Sequence, residues 1–230
     1  MEKNKIAVFD IDGTLFRSSL LIELVEGMID EGVIPKEARE KYAQEELLWR
    51  NRKKTYHQYI NAVVEAFYAH IKGVHYADFD RIARIIGATY KDRVYRFTRD
   101  LISQIQKENY FTLAISQSPK RILDIFCKEY NFDKVYGRVY ELGPSDRFTG
   151  LVVDEHLISN KAMILKRVID KHNLTLKGSV GVGDTADDIS FLEKVEHPIC
   201  FNPNALLYRH AKINGWRVVV ERKDVIYDIK

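Results

Sequence analysis

Long apolar runs are missing from this sequence of 230 residues. No stretch approaches the roughly 18 continuous apolar residues that a membrane span needs, and the amino terminus has no signal-like apolar region. Cysteine is scarce. Its two copies, Cys127 and Cys200, lie far apart in apolar segments, which points to buried free thiols and a reducing, cytoplasmic setting. An excess of one charge is absent too: 36 basic residues face 33 acidic ones for a net +3, a balance that argues against nucleic acid as a partner. What is present, 46% hydrophobic and 30% charged residues, can bury a good core, as one large domain or as a core with a smaller inserted one. The first strand pattern begins almost at once, so the mature chain is expected to start near Met1.

Two carboxylates crowded at the end of a short apolar run are the most telling feature. In Ile-Ala-Val-Phe-Asp-Ile-Asp-Gly-Thr-Leu, Ile6 to Leu15, the segment from Ile6 to Phe9 reads as a buried strand. It delivers Asp10 and Asp12 to its carboxyl end, where Gly13 breaks the pattern. Such a pair is costly to hold without compensation. Mg²⁺, which takes a few carboxylate oxygens and leaves positions for water and phosphate, is the usual partner. A plain turn, with aspartates bonding their own backbone, accounts for the same residues taken alone.

Downstream the pattern is helical first. Leu20, Leu21, Leu24, Val25, Met28 and Ile29 form a helical stripe in a segment that ends at Gly32. Pro35 opens a charged, helix-favouring stretch, Lys36 to Lys54, which closes with the basic run Arg50-Asn51-Arg52-Lys53-Lys54. Tyr56, Ile60, Val63, Val64, Phe67 and Ile71 make a second stripe before Gly73, and Asp78 to Gly87 reads as a short helix. No convincing strand falls between about residue 17 and about residue 96. Tyr90, Val94, Phe97, Leu101 and Ile105 then mark a helix. After it come strand Tyr110 to Ser116, helix Lys120 to Tyr130, strand Val135 to Tyr140, helix Lys161 to His172, strand Ser179 to Gly183 and strand Pro198 to Phe201. This alternation predicts an α/β fold, a Rossmann-like parallel sheet core with right-handed crossovers, carrying an inserted all-helical unit. Ligands of such sheets bind at the carboxyl ends of the strands, where Asp10, Ser116 and Asp184 fall.

Ser116 ends a strand before a helix that starts near Pro119, so its hydroxyl and the nearby amides are placed to meet an anion; a simple Ser cap, by Ser116 or Ser118, explains the same residues. Lys161 opens an amphipathic helix, a position the macrodipole disfavours for a cation. Val180-Gly181-Val182-Gly183-Asp184-Thr185-Ala186-Asp187-Asp188-Ile189 is a strand, a turn with three acids, and the start of an apolar helix. An acidic helix start complements the dipole and accounts for Asp187 and Asp188, but not for the matching acids after Phe9.

Together these four stretches resemble, in order, the motifs of the haloacid dehalogenase (HAD) superfamily in its phosphatase form. The resemblance covers nearly the whole chain. The 23-residue spacing from Lys161 to Asp184, and the segment Cys200-Phe201-Asn202-Pro203-Asn204 followed by Leu207 and Gly215-Trp216, are similar to the phosphoserine-phosphatase-like branch, subfamily IB with a helical C1-type cap. It implies a catalytic core at 1–16 and 97–230 and a cap at 17–96. Asp10 is implied as nucleophile, Asp12 as general acid and base, and Ser116, Gln117 and Lys161 as groups that bind the phosphoryl oxygens. Asp10, Asp12 through its backbone, and Asp184 are implied as Mg²⁺ ligands, with Asp187 or Asp188, Asp188 being favoured, anchored behind them.

The expected activity is Mg²⁺-dependent hydrolysis of a small-molecule phosphomonoester through an aspartyl phosphate, in a monomer or homodimer. In the branch, a cap glutamate soon after the first motif and a cap arginine hold the substrate. Here Ser19 stands nine residues after Asp10, with Glu23 one turn on, and Arg50 and Arg52 lie in the basic run, so Glu23 and Arg50 are the candidate contacts and phosphoserine itself is in question. Tyr56, Tyr59, Phe67 and Tyr68 fit either a pocket lining or the cap's own core. Two other classes remain: a phosphotransferase or phosphomutase using the same aspartyl phosphate, and a non-catalytic binding protein on this scaffold.

Overall fold

In the computed structural model, residues 4–229 are described; Met1 and the extreme ends of the expected core lie outside them. The sequence Ile-Ala-Val-Phe forms the end of β1 (Lys5–Phe9), and all four side chains are fully buried. Alternation along the strand divides them between two cores. Ala7 and Phe9 join the apolar cluster shared with the inserted helices, whereas Ile6 and Val8 join the cluster on the opposite face. Burial on both faces is the condition under which a parallel strand reads as an unbroken apolar run.

Between β1 and the next strand lie α1 (Leu20–Asp30), a 3₁₀ turn at Lys36–Arg39, α2 (Glu40–Arg50), α3 (Tyr56–Ile71), α4 (Tyr76–Tyr90) and α5 (Arg96–Lys107). The chain then alternates through β2 (Phe111–Pro119), α6 (Lys120–Lys128), β3 (Lys134–Leu142), β4 (Phe148–Val153), α7 (Glu155–Ile158) and α8 (Lys161–His172). It continues with β5 (Thr175–Gly183), α9 (Ile189–Leu192), β6 (His197–Phe201), α10 (Ala205–Asn214), β7 (Arg217–Arg222) and β8 (Val225–Ile229). The sheet order is β4-β3-β2-β1-β5-β6-β7-β8. Because the chain builds outward from β1 on one side and returns to its other side with β5, the order reverses between β1 and β5, and a crevice opens there at the carboxyl ends.

Local sequence explains several departures from the expected elements. The basic run is not helical beyond Arg50, because Arg52 adopts φ 58° and the amides of Arg52 and Lys53 turn back to the carbonyls of Trp49 and Leu48, a two-bond helix stop. Tyr90 belongs to α4 rather than to the helix after it. Val94 bridges Phe16, and Tyr95 N–H donates to Leu15 C=O at 2.9 Å, so the two chains entering and leaving the helical insertion run side by side. The sheet is not wholly parallel: β4 and β8 pair antiparallel with β3 and β7, since the turns at 143–147 and 223–224 are too short for a crossover helix. The first of these hairpins also grips the insertion. Gly73 N–H donates to Phe148 C=O at 2.8 Å, Phe148 N–H donates to Val74 C=O at 3.0 Å, and the Phe148 ring packs edge-on against Phe79.

Candidate active site

Register brings the acids together. Phe9 pairs with Val182 across β1 and β5, and Asp10 N–H donates to Val182 C=O at 2.9 Å, so Asp10 and Asp184 leave neighbouring strand ends side by side. The turn after Asp10 demands glycine. Gly13 has φ 84°, and a Cβ there would lie 2.2 Å from Asp184 Oδ2. Gly183 is needed for space, since a Cβ would meet the Asp188 side chain at 2.5 Å.

Lys161, the first residue of α8, is 4% exposed and donates to Asp10 Oδ1 at 2.6 Å and to Asp188 Oδ1 at 2.5 Å. Burial works against its ammonium, but the charges of Asp10 and then Asp188 outweigh that and hold Lys161 above its ordinary range. These two carboxylates answer the unfavourable helix-start position seen in sequence. Asp188 is fully buried, and its Oδ2 accepts from the amides of Asp184 and Thr185, both at 3.0 Å. Asp187 is exposed. Asp188 is therefore the acid that fixes both the Asp184 loop and Lys161.

The charge at the crevice is unbalanced. Asp10, Asp12, Asp184 and Asp188 converge there, with Lys161 as the ammonium bonded between two of them. Burial raises Asp10, with Lys161 pulling against it and Asp188 and Asp12 adding to it. Burial likewise raises Asp184, helped by Asp10 and Asp188. Asp10 Oδ2 is buried with no hydrogen-bond partner, and Asp184 Oδ1 accepts from Thr14 at a long 3.3 Å. Asp10, Asp184 and Asp188 can each offer an oxygen within 4.8 Å of the others. An all-oxygen set with an orphaned carboxylate oxygen and surplus negative charge fits a hard divalent cation held by Asp10 and Asp184, with Asp188 already occupied by its amides and Lys161.

Asp12 is held from three sides. Its Oδ1 accepts from Leu20 N–H at 2.6 Å, at the first turn of α1, and its Oδ2 accepts from the hydroxyls of Ser116 and, at 2.8 Å, Ser118. Burial raises this carboxyl, and the Ser116, Leu20 and Ser118 bonds oppose that. Ser116 thus reaches the site through Asp12. Ser118, Thr14 and the Leu20 amide are site groups that the sequence pattern does not mark; for Ser118 the available signal is the Ser-x-Ser spacing, which turns both hydroxyls to one side of β2.

The remaining candidates have partners of their own. The Gln117 amide is engaged by Arg138 and by Ile158 C=O. Glu23 pairs with Arg93 at 2.7 Å, and Arg50, 68% exposed, pairs with Glu46 one turn away. Tyr56, the first residue of α3, has its phenol pushed above its ordinary value first by burial and then by the charges of Asp12 and Asp184.

Residues 7–193 match the family model described as haloacid dehalogenase-like hydrolase. A histidinol-phosphatase of Neisseria meningitidis serogroup C (strain 8013) is 25% identical over 219 residues, covering 93% of this chain and 97% of that protein. Among solved structures, a phospho-aspartyl intermediate analogue of phosphoserine phosphatase superposes with a TM-score of 0.62 at 20% identity, covering 97% of this chain and 96% of the other. Phosphoserine phosphatase in apo form gives 0.63 at 19%, with 96% of each chain covered. The chain shares its fold with these phosphoserine phosphatases and belongs to the haloacid dehalogenase-like hydrolase family.

Proposed function

We propose that this protein hydrolyses a small phosphomonoester at the β1/β5 crevice in two displacement steps. The observation that carries the reading is Asp10, with one oxygen on Lys161 and the other buried without a partner, beside an Asp12 held by Leu20, Ser116 and Ser118. An Asp10 oxygen attacks phosphorus in line. The ester P–O bond breaks, and Asp12 delivers its proton to the leaving oxygen. The product alcohol departs, leaving an aspartyl phosphate. Asp12, now a carboxylate, takes a proton from water as the water oxygen attacks phosphorus and the bond to Asp10 breaks, which releases phosphate and restores both acids.

Lys161 neutralises charge on the transferring group and holds Asp10 in its attacking orientation. Mg²⁺, held by Asp10, Asp184 and the backbone of Asp12, would supply further charge neutralisation at the phosphoryl oxygens. The helices of residues 17–96 act as a cap and exclude water while the ester is intact. The substrate is a small phosphorylated metabolite with a polar leaving group, in the range of phosphoserine or a phosphorylated amino alcohol. Two buried, unpaired cysteines fit a cytoplasmic setting.

Phosphate release from phosphoserine, histidinol phosphate, sugar phosphates and nucleotides, with Mg²⁺ and with chelator, tests this alongside Asp10→Asn. Metal-dependent release that vanishes in the variant is the expected result. Release that survives Asp10→Asn removes Asp10 as the nucleophile, and release only with an added acceptor alcohol makes the protein a transferase.

A further inference from the structure

We infer that Arg138 is a positioning residue that couples docking of the helical insertion to the two segments, the end of β2 and α7, that lead to the phosphate-handling groups. Arg138 lies midway along β3, paired in register with Pro119 at the carboxyl end of β2, and its side chain is 19% exposed. Its guanidinium has three partners on three separate segments. Nε donates to Gln117 Oε1 at 2.9 Å, between Ser116 and Ser118, the two serines that hold Asp12. One terminal nitrogen donates to the Tyr68 hydroxyl at 2.7 Å, on α3 of the insertion, and to Glu155 at 3.2 Å, in the segment that leads to Lys161.

Gln117 extends the chain. Its Nε2 donates to Ile158 C=O at 2.8 Å, three residues before Lys161. Tyr68 also packs against Tyr140, with ring centroids 6.0 Å apart. A planar fork with several donors in fixed directions can satisfy Gln117 and Tyr68 at once, which the point charge of a lysine cannot. When α3 seats Tyr68 on the fork, the guanidinium plane is set, and with it the Gln117 amide and the Ile158 carbonyl. Docking of the insertion is thereby felt at the Asp12 serines and at Lys161. This deepens the phosphatase reading in its kinetic arm only; the exchange arm below stands without it.

The test uses the full chain with Tyr68→Phe, Arg138→Met, Arg138→Lys and the Tyr68→Phe/Arg138→Met double variant. Amide hydrogen exchange is read with and without Mg²⁺ and inorganic phosphate. Tyr68→Phe, which removes one hydroxyl on the insertion, is expected to speed exchange by roughly 2- to 10-fold in residues 155–161 as well as in α3, the range of one lost hydrogen bond. It should lower kcat for the best substrate by a similar factor, with KM changed less. In the double variant the Tyr68 change should add nothing to Arg138→Met, and Arg138→Lys should fail to restore the coupling. Unaltered exchange at 155–161 in Tyr68→Phe, additive effects in the double variant, or full rescue by lysine would each overturn the proposal. If Arg138→Met does not fold, the Tyr68→Phe exchange decides alone.

Discussion

Lys161 and Arg50 are both basic side chains that the sequence offers to an anion, yet the fold treats them in opposite ways. Lys161 is carried into the crevice between Asp10 and Asp188, residues 151 and 27 positions away in the chain, and is almost fully buried. Arg50 stays on the surface of α2, paired with the residue one turn before it. A buried ammonium must be compensated by geometry supplied from distant strands, whereas an exposed guanidinium needs only a neighbour and water. The comparison separates charge that the fold buries and pairs across the sheet from charge that keeps a helix solvated.

The largest expected effect breaks the buried side of this comparison. Lys161→Met should destabilise the fold by about 3–5 kcal/mol, because it leaves Asp10 and Asp188 uncompensated, and a urea titration reads the loss directly. An unchanged midpoint would mean that the acids are neutralised by other means. Asp12→Asn keeps the Ser116, Ser118 and Leu20 side of the site but removes the transferable proton. Turnover should fall by roughly 10²- to 10⁴-fold with the unfolding midpoint little altered, and a smaller drop would take the acid and base role from Asp12. Asp184→Asn should shift the Mg²⁺ titration of activity to higher concentration, and an identical titration would place the metal elsewhere.

Smaller effects sharpen the exposed side. Glu23→Gln loses its ion pair with Arg93 but, if the crevice is as described, leaves the substrate profile unchanged; a changed profile would return Glu23 to recognition. Arg50→Gln should cost about 0.5 kcal/mol or less and leave kcat/KM within error. A loss of substrate affinity there would show that α2 bends over the site in turnover.

Much of this was legible locally. The apolar run ending in Asp10 and Asp12 became β1, and the helix read from Lys161 to His172 has those limits in the structure, with Asn160 accepting from the Met163 amide as its cap. Strand burial and helix capping are written in neighbouring residues, and the acids at strand ends follow from them. The antiparallel edge strands β4 and β8 are not among the strands read from the sequence, because turns that reverse the chain onto β3 and β7 are what make them part of the sheet.

By itself, then, the sequence determined the alternating α/β order, the helical insertion after β1, and the carboxylates and lysine that gather at the strand ends. Only tertiary structure decided that Asp188 rather than Asp187 grips Lys161, that Ser116 and Ser118 both turn to Asp12, and that Glu23 pairs with Arg93, 70 residues away. The physical reason is range. Hydrophobic period and capping act over a few residues, while hydrogen bonds and charge compensation in a crevice depend on distances between side chains that the chain brings together only when the sheet has closed around β1.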